Sequence, residues 1–430
     1  MSKKTTQRLY YYFAVFMAIL MVASLILPSI AQNLTQNQQL QQALTPVPTT
    51  TPVPPTFPPP ITDFSGITFT EDYLHPSGLF YVNLPSGWTV SNNVNNTRQA
   101  QVSLNNPERV SVVEFYVERP STPVTTPEEV SGLYTSGTLA SGWRDYDSWR
   151  EAGQRRYVDE RVVIDFVLSD SGVDYFAQHT AWTDGTWVYV VRVVVPSNAS
   201  DLMFWLTENM PNHFYVIDAY KGTPLGWTAR YNQLTNTFIR YPNSWRILDG
   251  SVTQLDRPIT VGMDDNMAIV VNTTDGNIAD EAAARELVSG LRRNIEIISV
   301  AETTRPGMSG FSVAYKFFTP DGEERNGLAL LLNGEDGKLH TAIGRIASGG
   351  VDLNTDIARA QFFDFITAMD TFSLLTGLNL PALPEPEVTP TRIPATPVPT
   401  TEATPEMTAE VTDMPEQATV EATVEATPSN

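Results

Sequence analysis

The strongest constraint on this chain is that its middle is written twice. Tyr81-Val-Asn-Leu-Pro85-Ser-Gly-Trp88-Thr-Val90 aligns with Phe238-Ile-Arg-Tyr-Pro242-Asn-Ser-Trp245-Arg-Ile247 at an offset of 157. The same offset lays Val110-Ser-Val-Val-Glu-Phe115 over Met267-Ala-Ile-Val-Val-Asn272, an apolar strand-like run in both copies. A duplicated pattern predicts two like units, 62–222 and 223–380, joined at the turn-rich Lys221-Gly-Thr-Pro-Leu-Gly226. Each unit is long enough to bury roughly two thirds of its unfolded-chain surface, so each is expected to fold alone.

Within each unit the periodicities repeat. Thr126-Pro127-Glu128-Glu129 is a capping box with proline at the first helical position, and Val130, Leu133 and Tyr134 follow it. In the second unit, Glu281 to Arg293 is a helix with Leu287, Val288 and Leu291 on one face. Three strand-like runs come next in each unit, with Asp184-Gly185 and Asp336-Gly337 as hairpin turns. A closing amphipathic helix carries Ala358, Phe362, Phe365, Ile366 and Met369. The expected fold class is α+β, each unit a mostly antiparallel sheet with helices packed on it.

The aromatic-x-x-x-Pro-x-x-Trp hairpin, the helix, the meander and the final amphipathic helix resemble the PsbP-like domain. That fold is shared by extrinsic photosystem II subunits, a Ran-binding nuclear import factor and many small exported bacterial proteins. The resemblance covers both copies but neither the ends nor the linkers, and Pro-x-x-Trp is a low-specificity motif. It implies an α/β/α sandwich that binds proteins or assists assembly without catalysis. The family supplies no catalytic residues to carry over.

The ends predict a location. Lys3, Lys4 and Arg8 precede an uncharged apolar run from Leu9 to Ala31, which places everything beyond it outside the cytoplasm. Residues 1–31 are thus a signal peptide or a signal anchor. The run is long enough to span a bilayer, yet Pro28 breaks it and Ser29-Ile30-Ala31 offers a cleavage site. Residues 32–61 form a Gln/Asn- and Thr/Pro-rich linker, and 381–430 an acidic Pro/Thr/Glu tail. These two stretches hold 18 of the 32 prolines and too little apolar content to order a core, so they are expected to stay extended.

Composition then removes classes of chemistry. With no cysteine, disulfides, iron–sulfur sites, a thiol nucleophile and a lipid-modified cysteine anchor are excluded. A net charge of −21 argues against nucleic acid as partner. His75, His179, His213 and His340 show no metal-ligand spacing, and each reads more simply as structural. No phosphate-binding glycine loop is present. No cofactor or metal is expected, and the chain is expected not to be an enzyme.

Two candidate sites remain. Trp182 and Trp187 flank Thr183-Asp-Gly-Thr186, so a two-residue turn would set them across from one another, as a surface for a glycan or a protein. The second copy has Gly334 and Leu339 there, so the fold does not require the pair. Trp187 also shares a strand face with Val191, Val193 and Val195, which is the pattern of a core. Asp145 and Asp147, between Trp143 and Trp149, are the carboxylates on which a hydrolase would depend. The favoured reading is an exported, membrane- or wall-associated binding or scaffolding protein. Its partner would be an envelope protein or, alternatively, a cell-surface glycan.

Overall fold

The computed structural model describes residues 57–382, apart from 252, 253 and 265. The apolar run from Leu9 to Ala31, most of the 32–61 linker and nearly all of the acidic tail lie outside the described residues. Among the described residues no helix is long and apolar enough to cross a membrane.

The first copy begins with β1 (Phe69–Leu74), β2 (Phe80–Pro85), β3 (Thr89–Asn95), β4 (Gln99–Asn106) and β5 (Ser111–Glu118). Two short helices follow, α1 (Pro127–Leu133) and α2 (Ser136–Gly142). Then come β6 (Ser148–Glu151), β7 (Arg156–Val158), β8 (Arg161–Asp170), β9 (Val173–Thr183), β10 (Val188–Pro196), α3 (Ser200–Asn209) and β11 (Phe214–Val216).

The second copy runs β12 (Trp227–Tyr231), β13 (Thr237–Pro242), β14 (Arg246–Asp249), β15 (Ile259–Asp264), β16 (Met267–Asp275) and α4 (Glu281–Gly290). It continues with β17 (Glu296–Arg305), β18 (Met308–Phe318), β19 (Glu324–Gly334) and β20 (Lys338–Ile346). It ends with α5 (Asp356–Gln361), α6 (Phe363–Asp370) and β21 (Ser373–Leu374).

Each copy pairs these strands into a large antiparallel sheet and a small one. The large sheets have the order β3-β4-β5-β10-β9-β8-β6, with β7 also on β8, and β14-β15-β16-β20-β19-β18-β17. The small sheets are β1-β2-β11 and β12-β13-β21. This corrects the expected α+β sandwich of helices packed on a sheet. Among the described residues strand accounts for 46% and helix for 17%, so the fold is β-rich and built from several antiparallel sheets. The additional strands come from stretches such as Thr89–Asn95, whose Ser and Asn side chains hide a strand from a hydropathy reading.

The central strands of the large sheet in the first copy pack against apolar side chains on both faces. Val113, Phe115, Val191 and Val193 pack with Phe80 and Val82 of β2 and with Leu202 and Leu206 of α3. On the other face Tyr116, Ile164, Phe166 and Val190 pack with Val130 of α1 and Leu139 of α2. Each fully buried Val, Leu or Phe contributes about 1.5–3 kcal/mol. Trp88 and Trp245 sit in the equivalent cores of the two copies. Thr126 caps α1 in the expected capping box. The core residues Val113 and Phe115 correspond to Ile269 and Val271, one residue away from the 157 offset. The β4–β5 and β15–β16 turns differ in length, and a slip of one residue exchanges the faces of a strand.

The seam between the copies is tightly built. Phe238 of β13 belongs to the core of the first copy and stacks on Tyr220 with centroids 4.6 Å apart. Arg240, fully buried, donates from Nε to Ser77 O at 2.6 Å and from Nη2 to Pro224 O at 3.0 Å. Ser77 in turn donates from its backbone N–H to His75 Nδ1 at 3.1 Å, while His75 Nε2 donates to Gln101 O at 2.9 Å. Gly78 completes this turn at φ +67, where an added Cβ would lie 2.3 Å from Phe238 Cζ. Only glycine meets both conditions at once. Near the end of the described chain, Asn379 and Asp72 exchange backbone and carboxylate bonds at 2.9 and 2.7 Å, returning the second copy to β1.

Two predictions follow from the seam. With Phe238 and Arg240 shared, urea should unfold both copies in a single transition; two resolved transitions would show that the copies are energetically independent. Burial holds His75 down to about 4 from 6.5. As pH falls, the unfolded chain therefore takes up the proton first. Stability should drop between pH 6.5 and 4 by up to about 3 kcal/mol and level off below that window. Urea midpoints across this range check it, and His75→Gln should remove that share of the slope.

Candidate functional site

The Trp182/Trp187 hairpin is arranged differently from the expectation. The ladder pairs Thr183 with Val188 and Trp182 with Tyr189, so the connection has four residues rather than two. Asp184 determines this. Its carboxylate accepts from the N–H groups of Thr186 and Trp187, both at 2.9 Å, from Tyr189 OH at 2.6 Å and from Lys221 Nζ at 2.9 Å. Burial alone would raise the pKa, but these donors, the Trp187 amide foremost, hold Asp184 well below the usual range. Trp187 is turned into the core at 1% exposure. Trp182 is half-buried, lies opposite Tyr189 and carries the Arg161 guanidinium 4.9 Å above its ring. The two indoles therefore do not form a joint exposed surface.

The carboxylate pair is also dispersed. Asp145 is exposed at the surface beside Arg144, and Asp147 is exposed and accepts from Ser171 N–H at 2.8 Å.

The buried polar chemistry gathers on the face of the first large sheet that α1 and α2 cover, with Asp145 at its margin and Asp147 outside it. A cleft of about 600 Å³ opens there, floored by Glu114, Tyr116 and Glu118 of β5, Arg192 of β10 and His179 of β9, with Tyr134 above. Arg192 stands between Glu114 and His179 in the ladder and is the one residue of β10 that is not fully buried. Its Nη1 donates to Glu114 Oε2 at 3.2 Å and to Gly142 O at 3.4 Å. The guanidinium lies 4.3 Å from the Trp143 ring centroid and 5.1 Å from that of Tyr116. Glu114 further accepts from Ser103 Oγ at 3.1 Å, Gln101 Nε2 at 3.2 Å and Tyr116 OH. Arg155 ties the helical cover down, donating to Ser131 O and Tyr134 O at 2.7 Å and to Glu151 at 2.8 Å.

Several buried polar atoms here have no hydrogen-bond partner in the protein: both ring nitrogens of His179, Tyr134 OH, Trp143 Nε1 and Arg192 Nε. His179 is 1% exposed, and burial together with the Arg192 and Arg155 cations keeps its imidazole neutral, far below the ordinary range. Burial likewise raises Glu118 despite Arg192 nearby. Leaving a buried polar group unpaired costs roughly 1–3 kcal/mol, so such a concentration is unusual in a folded interior.

The second copy is an internal control. Counting four pairs from the β9–β10 and β19–β20 hairpins, the row Glu114–Arg192–His179 becomes Val270–Ile343–Ala329. The matching groove, about 210 Å³, is bordered by Val270, Ile343, Tyr315 and Phe317 and by the arginines Arg292 and Arg345. The fold therefore does not require the charged row. A different cleft in the second copy, about 390 Å³, is lined by Asn232 and Thr237, whose side chains are already hydrogen-bonded to Leu255 O and Thr235.

Sequence reasoning treated His179 as structural and missed Glu114 and Arg192. The available signal was a lone charge inside each of two apolar runs, Val112-Val113-Glu114-Phe115 and Val190-Val191-Arg192-Val193.

No family model matches the chain, and no curated protein matches it. Among solved structures it is similar to the cyanobacterial PsbP of Synechocystis sp. PCC 6803, at 12% identity and TM-score 0.27, over 36% of this chain and 98% of that one. A Bacteroides thetaiotaomicron protein shares 11% identity at TM-score 0.24, over 35% and 50% of the two chains. The immunity protein TplEi of Pseudomonas aeruginosa, in complex with a peptide, shares 10% at TM-score 0.20, over 73% and 99%. A PsbP is thus among the structural neighbours. With every TM-score below 0.5, these likenesses establish neither family nor function.

If the row is one unit, Glu114→Val and Arg192→Ile should each destabilise strongly and not add. A double-mutant cycle in urea should give a coupling of roughly 1–3 kcal/mol, whereas additivity would show that the two side chains act separately.

Proposed function

We propose that this chain is an exported binding protein, held at a membrane or wall by its amino-terminal segment and spacer. In this reading the second copy is the rigid support and the first copy carries the recognition cleft. The observation behind it is the contrast between Glu114–Arg192–His179 and Val270–Ile343–Ala329 at equivalent ladder positions. A polar row that the fold can replace with apolar residues is retained for something other than folding. The seam supports the division of labour, because Arg240 and Phe238 fix one copy against the other.

Binding rather than turnover is the proposed work. Glu114 already accepts from four side chains, which leaves it poorly placed to take a proton. His179 has no carboxylate to orient it, and burial, together with neighbouring cations, lowers its basicity. The carboxylates on which a hydrolase would depend, Asp145 and Asp147, face solvent.

An amine-reactive reagent that cannot cross membranes should label the chain on intact cells; labelling only after lysis would overturn the exported placement. In envelope extract, retention of the protein on its partner should be lost with His179→Phe and kept with the remote Glu335→Gln. Equal retention of both would remove the cleft from the proposal.

A further inference from the structure

The chemistry of the cleft restricts what it can hold. Its charged lining residues are Arg98, Arg144 and Arg192 against Glu114, Glu118 and Asp145, so the fixed charges cancel. Arg192 is already engaged by a carboxylate and two ring faces. A second strong anion would meet Glu114 and Glu118, and a cation would meet Arg192.

The unpartnered atoms narrow it further. A neutral imidazole has one donor and one acceptor in either tautomer, and in His179, which lines the cleft, both are buried without a protein partner. Tyr134 OH is unpartnered in the same way, and Arg192 Nε adds a donor. Phosphate and carboxylate groups, which only accept, would leave the acceptor of His179 unmatched. Ammonium, which only donates, would leave Arg192 Nε unmatched. A hydroxyl group donates and accepts at once, and neighbouring hydroxyls on one ring can meet this mixed set. A cleft of about 600 Å³ falls within the usual range for small-molecule sites and has room for one or two sugar rings.

We propose that the cleft between β5, β10, β9 and the α1–α2 cover binds a neutral, hydroxyl-rich ring, as a free sugar or as the end of a glycan. This rests on the cleft being the recognition site. Tyr134 and His179 contact the ligand hydroxyls, and the Glu114–Arg192 pair acts as a positioning element that holds α2 over the floor through Trp143 and Gly142 O.

The test uses the full chain in a zwitterionic, sugar-free detergent, with saturation-transfer NMR and calorimetry. The probes are glucose, galactose, N-acetylglucosamine and short oligomers of each, with glucuronate and glucose 6-phosphate as charged counterparts. At least one neutral sugar should bind, and Tyr134→Phe should weaken it roughly five- to tenfold. His179→Phe should abolish binding with no fall in melting temperature, because it removes two unpaired buried nitrogens. Binding of oligomers but not monomers identifies a glycan end and upholds the class. If only the charged sugars bind and both variants lose them, the ligand class is overturned while the cleft stands. Neutral-sugar binding that both variants retain overturns the cleft itself. No binding by any probe overturns the hydroxyl-rich class.

Discussion

The arrangement of the molecule depends on a guanidinium buried where its two copies meet. Arg240 has no exposed surface and is bonded to carbonyl oxygens, Ser77 and Pro224, rather than to a carboxylate. Burial lowers it to about 9, so it stays charged at neutral pH and its desolvation is a standing cost. That cost is offset by what it joins. Ser77 is bonded to His75, and His75 to the backbone of β4, so one cation fixes β13 of the second copy against the sheet of the first. Gly78 and Phe238 then close the seam so tightly that no side chain larger than hydrogen fits between them.

A fixed seam matters because it frees the opposite face of the first sheet. The face toward β2, β11 and α3 is apolar in both copies and holds each copy together. The face under α1 and α2 is where the copies have diverged. In the second copy the equivalent row is apolar, Val270, Ile343 and Ala329, the choice that favours stability. In the first it holds charge and unpaired polar atoms, a choice that costs stability and is tolerated where function requires it. Duplication lets one copy carry that cost while its neighbour supplies rigidity.

Much of the strand skeleton was legible in the sequence, because Val-rich runs and the Thr126 capping box are local signals. The β-rich class was not, because polar strands such as β3 are held by pairing rather than by their own hydropathy. The Trp182/Trp187 pairing failed for a comparable reason. Asp184-Gly185 reads as a two-residue turn, but the Asp184 carboxylate captures the next two amides and lengthens the loop, turning Trp187 inward. The cleft was hidden because its residues lie on three strands and two helices that come together only through the ladder. Aligning the copies by a constant offset concealed the contrast too, since a one-residue slip sets Glu114 against Val271 of the wrong face.

The Glu114–Arg192 pair has an alternative explanation in simple structural cross-linking, and the geometry argues against it. A buried ion pair of this kind is often no more stabilising than apolar residues of similar size, and the second copy carries that apolar solution in place. A cross-link would also be expected to saturate its surroundings. Here Glu114 is saturated, while Arg192 Nε, Tyr134 OH and both nitrogens of His179 are left without protein partners, three residues that line one cleft. Saturated Glu114 and these unsaturated groups thus line the same cleft. A row that served only to join α2 to the sheet would give no reason for unpaired polar atoms to gather beside it.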